Sequence, residues 1–233
     1  MFQSLFKKHT PEKIRKKNLK ILSEANYQVA PSLPLRNSIE NETLRPYVEI
    51  AKRVFALQTI LFWVIQDNET TSNERILNSI KRNDLKSFMT KEEKSLFDLT
   101  REEANLRSGT IGWKFENLWA LAWVLGFYKE PEFNMGYISD EIIKEIIYEF
   151  LPSFDYDIDY MDKYNKRTFI EVYQMEDLFY CTHNAARSAQ LGNNTIPKGC
   201  DTIILSGAIH EKRHSLTWCL SPNTEWDDTD LST

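Results

Sequence analysis

The chain has little that bends or cross-links a backbone: its 233 residues include 7 glycines, 8 prolines and 3 cysteines. Glycine and proline together fall well below the roughly 12% of an average protein. Few turn-formers mean few turns, which favours long helices over many short strands. Cys181, Cys200 and Cys219 are odd in number, widely spaced and without a C-x-x-C pair. That excludes a dense disulfide framework or a closely spaced cysteine zinc site and points to reduced thiols in the cytoplasm. Long apolar runs are missing too. The most apolar window, Val54 to Ile65, spans 12 residues and includes Gln58 and Thr59, whereas a membrane-spanning helix needs about 20. The first residues lack the apolar stretch of a secretory signal. There is no excess of positive charge: 29 basic against 34 acidic side chains give a net charge of −5, which disfavours nucleic acid as a partner.

What is present reads as helices. Hydrophobic residues are 42% and charged residues 27%, an ordinary globular balance. Thr10-Pro11-Glu12 is a helix start, and Ile14, Ile21, Leu22 and Ala25 recur on one side of a basic first helix over about 10–26. Arg45-Pro46 opens a second helix that is apolar around most of its circumference, so it belongs at the centre. Shorter helices are predicted over Ser72–Arg82 and Lys91–Arg107. Trp113–Phe127 packs three indoles into eleven residues, and Ser139 starts a helix that Pro152 stops. Phe154–Tyr160 alternates aspartate with apolar residues, which fits an acidic loop better than a short strand. Two helices, around Glu176–Gln190 and Asp201–Cys219, precede a short acidic tail over 221–233. With no repeat and no linker, the pattern predicts one all-α, compact multi-helix domain over 1–233.

Several motifs form a set: Arg15 to Leu22 with Leu33-Pro34, Thr90-Lys-Glu-Glu93, Trp113-Lys-Phe-Glu116 with Trp123-Val-Leu-Gly126, and Glu176-Asp-Leu-Phe-Tyr180 with His183 and Arg187. Arg213-His214-Ser-Leu216-Thr-Trp218 followed by Trp226-Asp227-Asp228 is the most specific part. In this order and spacing they resemble the bacterial domain-of-unknown-function family DUF4272 across nearly the whole chain. The resemblance implies no activity, because the family has none established. Tyr180-Cys181 and His183-Asn184 depart from the family's Tyr-Arg and His-Trp, whereas Glu116, Asp177, His183, Arg187, Arg213, His214 and Asp227 match its pattern.

His210-Glu211-Lys212-Arg213-His214 fits H-E-x-x-H, in which two histidines share a helix face and the glutamate activates a metal-bound water. A metal-dependent hydrolase would use His210, His214 and Glu225 as zinc ligands. Lys212 and Arg213 beside a dication argue against it, as does Glu225 lying beyond Pro222. The catalytic candidates otherwise are His183, Arg187 and Glu211, with no nucleophile motif and no phosphate-cradling loop beside them. The competing reading takes Glu116, Asp177, His183, Arg187, Arg213 and His214 as a polar cluster, with Arg213 or Arg187 paired to Glu116 or Asp177 to dock the late helices on the tryptophan helix. A carboxylate among tryptophans is costly unless paired. Lys7, Lys8, Lys13, Arg15, Lys16, Lys17 and Lys20 make a solvated basic face without interleaved aromatics. Trp226 is expected to fold back onto the domain, since an indole on a loose tail wastes its apolar area. The expected function is therefore non-catalytic binding of a protein partner, of an accessory or immunity type, without a cofactor.

Overall fold

The computed structural model describes residues 9–35, 43–134 and 136–232; Lys7 and Lys8 of the basic stretch lie outside them. The helices are α1 (Pro11–Glu24), α2 (Tyr47–Ile65), α3 (Asn73–Arg82), α4 (Lys91–Ser95), α5 (Arg101–Asn105) and α6 (Ser108–Ile111). They continue with α7 (Lys114–Val124), α8 (Asp140–Lys144, running into a π-helical turn over Glu145–Phe150), α9 (Phe169–Gln190) and α10 (Thr202–Cys219). The described residues contain no strand. Of the stretch Phe154–Tyr160, residues 154–157 are irregular and the rest begins a 3₁₀ turn over Ile158–Lys163.

Local chemistry sets these boundaries. The Thr10 hydroxyl accepts from the Lys13 amide at the start of α1, with Pro11 following where a missing N–H costs nothing. Thr90, Thr100 and Thr168 each form a capping box with the glutamate three residues on. These boxes explain two departures from the expected pattern. Lys91–Arg107 is not one helix, because Thr100 caps a new start and a 3₁₀ turn over Leu96–Asp98 breaks the run. The helix expected around Glu176 starts seven residues earlier, at Phe169, with Thr168 as its cap. Gly126 ends α7 at φ 110°, and a Cβ there would stand 2.6 Å from the Asn165 carbonyl oxygen.

Packing runs α1 on α9, α9 on α10, α10 on α7 and α7 on α2, with α3 and α5 also against α2. The near-continuous apolar content of α2 is matched by burial of Ile50, Val54, Leu57, Ile60 and Leu61. Trp119 and Trp123 are sealed in the same core. Each fully buried aliphatic or aromatic side chain contributes about 1.5–3 kcal/mol, which holds the charged seams described next in register.

Candidate functional site

The polar residues singled out by sequence fall, with the partners the fold brings them, into four sets, of which the first two share Arg213 and the second and fourth share Arg53. Asp177 on α9 binds α1: Arg15 Nε donates to Oδ1 at 2.9 Å and Asn18 Nδ2 to Oδ2 at 2.9 Å. Arg15 also donates to the Leu33 and Pro34 carbonyls, pinning the chain that follows α1. The residue preceding Asp177, Glu176, accepts from Thr217 Oγ1 at 3.0 Å and lies 3.6 Å from Arg213 Nε. Arg213 stacks on Tyr180 at 4.5 Å and reaches His183 Nδ1 at 2.9 Å. Guanidinium only donates, so His183 Nδ1 accepts and the ring is neutral. Its pKa is accordingly pushed down to about 3, by burial first and then by Arg213, His210 and Arg187.

The second set ties the tail. Arg213 also donates to the Leu231 carbonyl at 2.8 Å and the Ser232 carbonyl at 3.1 Å. His214 Nε2 donates to the Trp226 carbonyl at 2.8 Å and stacks on its indole at 4.3 Å. Burial drives the His214 pKa down to about 4, against the opposing Trp226 bond. Arg45 lies over Trp218 at 3.9 Å and donates to the Ser221 and Thr224 carbonyls, while Arg53 lies over Trp226 at 3.9 Å. Trp226 is thus folded onto the domain.

The third set is Glu116 with Lys212, 3.1 Å apart and both almost without solvent contact. Glu116 also accepts from the Ile138 amide, and Lys212 donates to the Glu132 carbonyl. Burial raises the carboxyl pKa and lowers that of the ammonium, each against the pull of its partner. The fourth set is Glu93, which takes both guanidinium nitrogens of Arg53 at 2.6 and 2.9 Å, Lys114 Nζ at 2.6 Å and the Thr90 amide at 2.9 Å. Despite burial, these donors hold its pKa down at about 2.

Neither expected pairing of Arg213 or Arg187 with Glu116 or Asp177 occurs. Lys212 and Arg15 take those carboxylates, and Arg187 is exposed, bonded only to Gln190 at 2.8 Å. His210 and His214 share a helix face with ring centroids 6.3 Å apart, but Glu225 is exposed on the tail. Among the described residues no three histidine, cysteine, aspartate or glutamate side chains are grouped to hold a metal. Arg15, expected on a solvated basic face, is instead buried against Asp177, while Lys212, Asn18 and Arg53 were missed as partners. A signal existed for two of the ion pairs: Lys212 falls on the same stripe as Leu205, Ile209 and Leu216, and Glu93 is the third residue of a capping box.

Open space lies alongside several of these seams, and Lys114, Arg53 and Arg213 each reach it. A cavity of about 740 Å³ is bounded by the broken segment of α4 to α6, by Trp113 and Lys114 at the head of α7, and by Glu211 of α10. A cleft of about 340 Å³ lies along Arg45, Arg53 and Trp226, and one of about 310 Å³ along Tyr180 and Arg213 under the tail. An apolar groove of about 260 Å³ separates the end of α2 from α8. A family model described as Domain of unknown function (DUF4272) matches residues 15–229. No curated protein and no solved structure matches the chain.

Proposed function

The chain belongs to the DUF4272 family, and on that footing we propose that it works by holding a protein partner and not by catalysis, as a cytoplasmic bacterial accessory or immunity-type domain. The observation that carries this reading is the groove between α2 and α8. Phe62, Ile65, Phe115, Ile143 and Ile147 line it, and Tyr148, two-thirds exposed, stands at its edge. Tyrosine beside an apolar slot is the composition of an interface anchor site. Tyr148 faces outward from the π-helical turn over Glu145–Phe150 while Ile146, Ile147 and Phe150 stay buried, and such turns recur at functional sites. The lining carries one charge of each sign, Asp140 and Lys144, and it is exposed Glu141 and Glu149 nearby, with a net charge of −5, that favour a partner segment with an apolar anchor and basic flanks.

Catalysis by the histidine candidates is disfavoured by their protonation. A general base works best with a pKa near the operating pH, and His183 and His214 are held down at about 3 and 4. The test is affinity capture from the source organism with the native chain and with an Ile143→Asp, Tyr148→Ala variant, after circular dichroism shows that both are folded. One basic protein retained by the native chain and lost by the variant supports the reading. Equal retention by both overturns it.

A further inference from the structure

Beyond partner binding, we infer that the cavity between α4–α6 and the head of α7 binds a small zwitterion: an apolar body carrying one carboxylate and one ammonium. Its volume of about 740 Å³ lies within the ordinary range for small-ligand sites. Leu96, Leu99, Ile111 and Trp113 supply apolar wall.

Two charges face that space without full partners. Among the described residues Lys114 Nζ is paired with Glu93 Oε1 alone, and an ammonium has three donors. Glu93 cannot neutralise it alone, since the same carboxylate serves Arg53 at both oxygens. Arg53, Glu93 and Lys114 together therefore carry one surplus positive charge at the inner wall. Its field reaches His214, whose pKa Arg53 and Lys114 both lower. A ligand carboxylate at Lys114 completes this triad. Glu211 is the complementary group: half-buried on the cavity wall, it has no hydrogen bond or ion pair from its carboxylate among the described residues. A ligand ammonium would neutralise it. Glu92, Asp98 and Arg107 on the rim are exposed and mixed in sign, so solvent screens them.

The indole wall is held in place at a cost to the helix opposite. Gly207 lies inside α10, where glycine weakens a helix by about 1 kcal/mol relative to alanine. A Cβ at Gly207 would stand 2.7 Å from Cη2 of Trp113, so only glycine lets the ring lie where it does. Tyr137 backs the same ring at 4.7 Å.

The experiment is isothermal titration calorimetry of the full chain with three probes on one scaffold: L-phenylalanine, 3-phenylpropionate and phenethylamine. L-Phenylalanine is expected to bind saturably at millimolar concentration or below, with each truncated probe about tenfold weaker for its lost charged contact. Lys114→Met should erase the advantage of the carboxylate, and Glu211→Gln the advantage of the ammonium. Gly207→Ala, which displaces the indole, should weaken L-phenylalanine while leaving the order of the three probes unchanged. Glu211→Gln removes no contact in the fold, so its result stands even if Lys114→Met is unstable. No saturable binding of L-phenylalanine, equal binding of all three probes, or indifference to Glu211→Gln would overturn the assignment.

Discussion

Glu93 and Glu116 are both about 1% exposed and both paired with a cation, and burial pushes both pKa values up, yet the net shift is downward for Glu93 and upward for Glu116. Glu93 receives four donors: two from Arg53, one from Lys114 and one from the Thr90 amide. Glu116 receives Lys212 at 3.1 Å and one amide. Desolvation is the largest influence on each. Whether a buried carboxylate ends up as an asset or a cost depends on how many donors answer it.

The largest effect should follow from breaking the well-answered site. Glu93→Gln leaves Arg53 buried beside a neutral amide and is expected to cost about 3–5 kcal/mol in urea denaturation. It should also flatten the acid limb of the stability curve. A carboxyl held below its unfolded value stabilises above pH 4.5, and that contribution is lost as pH falls through about 2. Glu116 has the opposite sign: its raised pKa favours folding at low pH, and the gain is lost as pH rises past the folded value.

The poorly answered pair should behave differently. Glu116→Gln alone strands Lys212 on the Glu132 carbonyl and should cost about 1–3 kcal/mol. Glu116→Leu with Lys212→Met should recover native stability or exceed it, because a buried ion pair replaced by apolar volume is often neutral or stabilising. If the double variant is as damaged as Glu93→Gln, the distinction between the two sites fails. Smaller again is the effect of Trp226→Ala, which strips the indole from His214. The His214 midpoint should then climb from about 4 toward 6.5, read by NMR. Arg187→Ala, exposed and bonded only to Gln190, should change stability by no more than about 0.5 kcal/mol.

The helical architecture was legible because apolar periodicity and threonine caps are local. The central place of α2 follows from its apolar circumference, and the start of α1 from Thr10-Pro11. The broken run after Lys91 was less legible, since Thr100 caps a helix inside a pattern that also continues. Pairing was the hardest to read. Sequence identified Glu116, Asp177 and Arg213 as groups needing partners, but their partners come from positions 96, 162 and 37 residues away, and only the packed helices decide which cation arrives. His183 and Arg187, four apart, look like a shared face; the shift from a buried to an exposed position across one turn separates them.

The central claim is that these ionisable side chains fasten helices and tail together. NMR titration of the imidazole signals in the folded chain tests it most directly. Rings held as interhelical acceptor and tail donor should keep neutral-form shifts for His183 and His214 from neutral pH down to about pH 5, well above their midpoints of about 3 and 4. Either ring titrating near 6.5 while the chain stays folded would contradict it.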